Sequence, residues 1–359
     1  MNKPTLLSIL LTVSMLLVSV PSAYSSTVTV QFSPIQRIIN EASEGATITV
    51  PPGVYYGLFK VNKTLTLIGE GVVIDANGSQ VGIIISAPNV VLMDFTIQGA
   101  IRLNGGYPPE EISELWVGIA EDGSGIYVYM ALNVTLSNVK ITDCYAGVGA
   151  VYSPLLSLRG CEVARTTWGL ALERSAGVTV FGCLITDNYY LPDNNGGGVW
   201  AGLYTAVEIT SSTFARNLWG IVFLPSSASN HVHYNNFVNS THANVCIHPD
   251  AGYVGNLDLN YWSDYSGIDQ NGDSIGDTPY IIDQCNQDRH PLMTDPETFG
   301  GPNPDLNNDG KVDIRDVALV AKAYGSTPGS QNWNTVADVN RDLRIDIKDV
   351  AFVAASFGK

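Results

Sequence analysis

Gly147-VGAVYSPLLSLRGCE-Val163 and Gly169-LALERSAGVTVFGCL-Ile185 carry one pattern of apolar residues, repeated. Further copies are Gly125-IYVYMALNVTLSNVK-Ile141, Gly198-VWAGLYTAVEITSST-Phe214 and Gly220-IVFLPSSASNHVHYNN-Phe237. Their glycines stand at 125, 147, 169, 198 and 220, so the interval is 22 residues except once, where it is 29. An insertion from Tyr190 to Gly196 accounts for the longer rung. An earlier copy, Gly82-IIISAPNVVLMDFT-Ile97, precedes a long loop from Ala100 to Gly123. The first and third residues after each glycine are apolar (Ile126/Val128, Val148/Ala150, Leu170/Leu172, Val199/Ala201, Ile221/Phe223), as are later pairs such as Leu136/Val139 and Leu158/Cys161. Alternation of this kind makes short strands with one face inward. A unit this small cannot bury its apolar face alone, but stacked copies share one continuous core. The expected fold is all-β, a right-handed parallel β-helix. Ile35 to Ala42, amphipathic at helical spacing, is expected to cap its N-terminal end.

Rungs stack at about 4.8 Å, so equivalent residues form columns. One outer column reads Asp143, Arg165, Asp187, Arg216, Asn239, an ion ladder whose first reading is structural. The chemical reading makes Asp143 and Asp187, two rungs or about 9.6 Å apart, an acid–base pair near the upper end of the inverting-glycosidase range. Arg165 between them opposes a raised carboxyl pKa. Another face reads Tyr127, Gly149, Ala171, Trp200, Val222 beside Tyr129, Val151, Glu173, Gly202, Leu224. Aromatic rings flanking small residues make a trough suited to the C–H faces of a sugar. Tyr127, Tyr129 and Trp200 are its substrate-binding candidates and Glu173 its catalytic candidate. The alternative is a face covered by the Ala100–Gly123 loop or a neighbouring chain.

Two acidic stretches follow near the end of the chain. Oxygen-bearing side chains fall at loop positions 1, 3, 5, 9 and 12 in both: Asp305, Asn307, Asp309, Asp313, Asp316, then Asp338, Asn340, Asp342, Asp346, Asp349. That ladder wraps a hard cation such as Ca²⁺. Each loop leads into a short apolar stretch, Val317–Ala321 or Val350–Ala354, and then a glycine, which reads as loop, helix, stop. Leu343 stands where the first loop has Gly310, the residue that eases the sharp turn. Asp269, Asn271, Asp273 and Asp277 form a further candidate cation loop, with an Asn/Asp-Gly turn cluster as the alternative.

The duplicated loop–helix resembles a type I dockerin over about the last 55 residues. The resemblance implies a small all-α module that plugs into a cohesin domain on a scaffold protein. It implies Ca²⁺ on the ten loop residues above plus the backbone carbonyls of Lys311 and Arg344. It assigns partner choice to Ile314/Arg315 and Ile347/Lys348, pairs similar enough to suggest binding in two orientations. The rung pattern, with Asn260-Tyr-Trp262-Ser-Asp264-Tyr265-Ser-Gly267 and the stretch from Asp269 to Pro279-Tyr280, resembles NosD-like and pectate-lyase-like β-helices that bind carbohydrate or hydrolyse sugars. That likeness speaks to fold more than to chemistry.

Lys3, an apolar run from Leu6 to Val20, and small residues at Ala23-Tyr24-Ser25 predict a secretory signal peptide over residues 1–25. The expected divisions are 28–262 β-helix, 263–293 its C-terminal turns with the Asp/Asn-rich loop, 294–304 a Pro/Gly-rich linker, and 305–359 the dockerin. No later segment is apolar enough to span a bilayer. A formal charge of −16 argues against a nucleic-acid partner. The expected location is extracellular, at a cell surface through the scaffold. Cys161 and Cys183 share a rung position, open to a bridge or a stack of thiols; Cys246 and Cys285 are a further candidate pair across the C-terminal turns, with Cys144 the odd one out. His231 and His233 share a strand face, without a further clustered ligand for copper. The Gly-His-Gly of pectinase-like hydrolases is missing from the sequence, and no acidic cluster with Arg and Lys bases stands in for it. The functional expectation is a secreted β-helix that binds or processes polysaccharide on a cohesin-bearing scaffold. If an enzyme, it is a hydrolase or lyase acting on O-glycosyl bonds. The alternative is a non-catalytic surface or adhesion solenoid assembled through the dockerin.

Overall fold

The repeat interval sets the register of a parallel β-helix. Val148 pairs with Ile126 on one side and Leu170 on the other, and Leu170 continues to Val199, Ile221 and Val245. The computed structural model describes residues 34–102, 123–190, 195–296, 303–307 and 309–358. The stretch expected to be a signal peptide, most of the Ala100–Gly123 loop, the middle of the Tyr190–Gly196 insertion, much of the expected linker, and Asn308 lie outside the described residues.

One face of the solenoid is a parallel sheet of eight strands, from Phe59–Val61 to Ala243–Ile247. The other strands of each rung, such as Ser157–Arg159 and Glu162–Ala164, stack separately in the same way. The inward residues Val148, Leu158, Val163 and Leu170 are fully buried in one core running the length of the solenoid. The expected cap is helix α1 (Pro34–Glu41), which buries Ile35 and Ile39 in that core. Gln36 accepts from the backbone N–H of Lys60 and donates to its carbonyl, occupying the edge strand as another strand would.

Rungs turn at residues in the left-handed region. One corner column reads Asn138, Gly160, Gly182, Ser211, Tyr234, Leu259, with φ between 52° and 60°. Another is the ion ladder itself, Asp143, Arg165, Asp187, Arg216, Asn239, at φ 53–57°. Asn, Asp and Gly tolerate that region best, so the early rungs follow the expected chemistry. Inside the first of these corners a polar column runs Cys161, Cys183, Ser212, Asn235, Asn260, each of the last three receiving the backbone N–H of the column residue before it. Asp288, fully buried, ends the column by accepting from the Asn260 backbone and from Trp262 Nε1. All five cysteines are free, so the Cys161–Cys183 stack consists of thiols.

The C-terminal end is closed by stacked rings. Phe214, Phe237, Trp262 and Tyr280 follow one another at centroid separations of 5.1, 4.6 and 4.3 Å, nearly parallel. Tyr280 donates to Asp264, and Tyr265 donates to the Thr278 carbonyl. The Trp-Ser-Asp-Tyr and Pro-Tyr segments therefore lock the last turns and close the core.

Beyond the linker come helices α2 (Ile314–Ala323) and α3 (Ile347–Ala354), each opened by a capping box, Asp313 with Asp316 and Asp346 with Asp349. They share a core of Val320, Ala337, Ile345 and Val353. Independent folding of the two modules is the expectation from the linker; in the structure they touch. Trp333 and Leu343 pack on Tyr234, Leu259, Ile275 and Leu292 of the β-helix. Among the described residues no helix is long and apolar enough to cross a membrane.

Candidate functional site

The two acidic loops share a common set of backbone-to-side-chain bonds. Asp305 accepts from the backbone N–H groups of Asp309 and Gly310, and Asp338 from those of Asp342 and Leu343. Asn307 and Asn340 accept from position 5, and Asp309 and Asp342 from position 7. Asp316 and Asp349, both fully buried, tie the start of each loop to its end. Burial raises the Asp316 carboxyl, but backbone N–H groups of Asp313, Asn307 and Leu306 outweigh it and hold it below the ordinary value. Arg315 bonds Asp309 at 2.7 Å and Lys348 bonds Asp342 at 2.8 Å, the same position-11-to-5 pair in each half.

Among the described residues no three His, Cys, Asp or Glu side chains are gathered into a closed cage. The donor chemistry nevertheless fits Ca²⁺. Each loop offers only hard oxygens within twelve residues, four of them carboxylates. Asp338 is 1% exposed, and burial pushes its carboxyl up to about 7, a cost that a bound cation would remove. The Asp269 loop repeats the opening pattern: Asp269 accepts from Asp273 and Ser274, Asn271 from Asp273, and Asp273 from Ile275, with Asp277 receiving Gln270. Ile314 and Ile347 are 69% and 64% exposed, so the two residues expected to face a cohesin project alike from their helices.

On the eight-stranded sheet the register sets Tyr127, Gly149, Ala171, Trp200 and Val222 in one column and Tyr129, Val151, Glu173 in the next. Tyr127 and Tyr129 stack at 5.7 Å, and Trp200 meets Trp168 edge-on at 5.0 Å. This face is more closed than an open trough: Tyr127, Val151, Ala171 and Trp168 are buried in a second apolar cluster. Glu173 is only 3% exposed, and its Oε2 has no hydrogen-bond partner among the described residues. Burial pushes its carboxyl up to about 7 against the opposing pull of Arg174. Gly202 adjoins it; any side chain there would collide with the carboxylate.

Asp143 and Asp187 stand elsewhere, in the corner column. Arg165 grips Asp143 through two bonds of 2.9 and 2.8 Å, and Arg216 grips Asp187 through two of 2.8 and 2.7 Å. Those bonds hold both carboxyls below their ordinary value, which suits an ion ladder better than a proton donor. His231 is exposed, whereas His233 is buried and pushed down to about 4, first by that burial and then by His231.

Sequence reading missed Tyr234, whose hydroxyl donates to Asp338 at 2.9 Å. A signal was present: bulky Tyr234 and Leu259 take over a column that earlier uses Asn, Gly and Ser.

No curated protein matches the chain in sequence. Among solved structures, an alginate lyase from Paenibacillus sp. str. FPU-7 is similar over 63% of this chain and 94% of its own, with 12% identity and a TM-score of 0.37. PfbA, a surface adhesin of Streptococcus pneumoniae, is similar over 63% and 65%, with 14% identity and a TM-score of 0.39. Pectate lyase Pel9A is similar over 67% and 76%, with 13% identity and a TM-score of 0.37. Residues 303–357 match the family model of the dockerin type I domain. Residues 72–259, more than half of the chain, match that of the right-handed beta helix region, and the chain belongs to this family.

Proposed function

We propose that this is a secreted β-helix protein that binds or processes polysaccharide and is held on a cohesin-bearing scaffold by a calcium-loaded dockerin. The observation that carries the reading is the pair of matched loops, each ending in an equally exposed Ile–Arg or Ile–Lys pair. Calcium would be held by Asp305, Asn307, Asp309, Asp313 and Asp316 with the Lys311 carbonyl, and by Asp338, Asn340, Asp342, Asp346 and Asp349 with the Arg344 carbonyl. Bound there, it supplies the charge that lets four carboxylates share one loop. The Asp269 loop lacks a counterpart of Asp316 and is the weaker site. Titrating the calcium-loaded chain with a panel of type I cohesins tests the attachment: binding that EGTA abolishes supports it, and no binding to any cohesin by a folded, loaded chain refutes it.

For the sheet face, Tyr129 and Trp200 are the sugar-contacting residues, with the buried Tyr127 stacked on Tyr129 as its support, and Glu173 is the catalytic candidate, its raised pKa suited to a general acid near neutral pH. A non-catalytic surface solenoid is the second reading, favoured by the burial of Glu173 and the arginine-bound Asp143 and Asp187. A polysaccharide screen with product analysis sorts the two. Cleavage products that disappear in Glu173→Gln support the enzyme, and binding without products supports the solenoid.

A further inference from the structure

We propose that the β-helix is itself part of the second calcium site, with Tyr234 positioning that site's first ligand, Asp338. The inference rests on the reading of the acidic loops as calcium sites.

Four observations meet at this point. The Tyr234 hydroxyl donates to Asp338 Oδ2 at 2.9 Å, the same oxygen that receives the Leu343 N–H, while Oδ1 receives the Asp342 N–H. Both partners are buried, Tyr234 to 3% exposure and Asp338 to 1%. Each surface also abandons the residue its backbone would favour. Tyr234 holds φ 54° in a corner column that uses Asn138, Gly160, Gly182 and Ser211 in the preceding rungs and Leu259 in the next. Leu343 holds φ 66° at the loop position where Gly310 holds φ 83°. Bulky residues take this conformation at other turns of the chain as well, among them Tyr152, Leu155 and Leu259, but here one such position on the solenoid and one on the loop pack into a shared apolar cluster. Leu343 joins Tyr234, Leu259, Ile275 and Leu292 in one apolar cluster, and the Arg341 guanidinium lies 5.9 Å from the centre of the Tyr234 ring.

In the first loop, Asp305 makes the same two backbone bonds, and the turn beside it has open space around Gly310. The loops are thus alike in ligands and unlike in support. A hydroxyl bonded to a ligating carboxylate fixes its orientation before the cation arrives, and such partners commonly change metal affinity 10–100-fold. Leu343, which looks like a defect beside Gly310, is the residue that seats the loop on the solenoid. Coupling is reciprocal, so calcium in the second loop also holds the dockerin against the β-helix.

The test uses the full chain, stripped of metal and titrated with Ca²⁺, as wild type and as Tyr234→Phe, which keeps the ring and loses only the hydroxyl. Asp309→Ala and Asp273→Ala in both forms silence the first loop and the Asp269 loop. The expected result is about a tenfold weaker second site in Tyr234→Phe. Hydrogen exchange on calcium-loaded chains with all loops intact gives an internal control: residues 338–349 should exchange faster in Tyr234→Phe, while 305–316 stay unchanged. Equal affinity together with equal exchange overturns the role of Tyr234. A wild-type chain that binds no calcium overturns the calcium reading and this inference with it.

Discussion

The β-helix and the dockerin are both built by repetition, yet different things repeat in them. Along the solenoid the repeated residues are the buried ones, such as Val148, Leu170, Val199 and Ile221, while the outer columns change from rung to rung. In the dockerin the exposed residues repeat too: Ile314 with Arg315, and Ile347 with Lys348. Core repetition is what stacking requires and says only that the chain is a solenoid. Arg315 and Lys348 each bond their own loop, but the repetition of the exposed Ile314 and Ile347 has no such cause, and so points to a partner.

Calcium removal divides the two regions most sharply. Chelation should abolish hydrogen-exchange protection across residues 305–358 while leaving the strands from Ser124 to Ile247 protected, because the proposed cation loops lie in the dockerin and at Asp269–Asp277, outside those strands. Equal loss in both regions breaks the comparison. Next comes the aromatic closure of the solenoid. Trp262→Ala removes the middle of a four-ring stack and should cost about 3–5 kcal/mol in denaturant unfolding of the β-helix. The dockerin helices should keep their calcium-dependent signal in that variant.

Glu173→Gln should act only in part of the pH range. The Glu173 carboxyl titrates near 7 when folded and near 4.5 otherwise. The folded state therefore retains a proton that the unfolded chain loses. That contribution is full below about pH 4.5 and disappears as pH rises through 7. The variant should match wild type at pH 4 and be more stable at pH 8, by up to about 3 kcal/mol. A constant difference across that range would show that Glu173 is not held protonated. Smallest of all, Asp143→Asn should change stability by less than about 1 kcal/mol, because the Arg165–Asp143 pair is about half exposed. A larger loss would promote the ion ladder from surface ornament to structural necessity.

Much of this was legible in the chain itself. The 22-residue interval predicts the register, and the outer columns fall where that interval puts them, Tyr127 beside Gly149, Ala171 and Trp200. The acidic ladders likewise announce matched loops. Two features were not legible, each for a physical reason. The burial of Glu173 depends on what lies over the sheet face, and strand alternation distinguishes inside from outside but not covered from open. The contact of Tyr234 with Asp338 joins residues 104 positions apart across a linker, and no local pattern spans that distance. Only the intrusion of Tyr234 and Leu259 into a small-residue column hinted at it.

The most direct measurement is cohesin affinity, in calcium, for four forms of the full chain: wild type, Ile314→Ala/Arg315→Ala, Ile347→Ala/Lys348→Ala, and all four substitutions together. If the repeated exposed pairs are alternative contact surfaces, either two-residue variant should stay within a few-fold of wild type, and the combined variant should lose binding. Undiminished binding by the combined variant, or complete loss from one pair alone, would contradict the account.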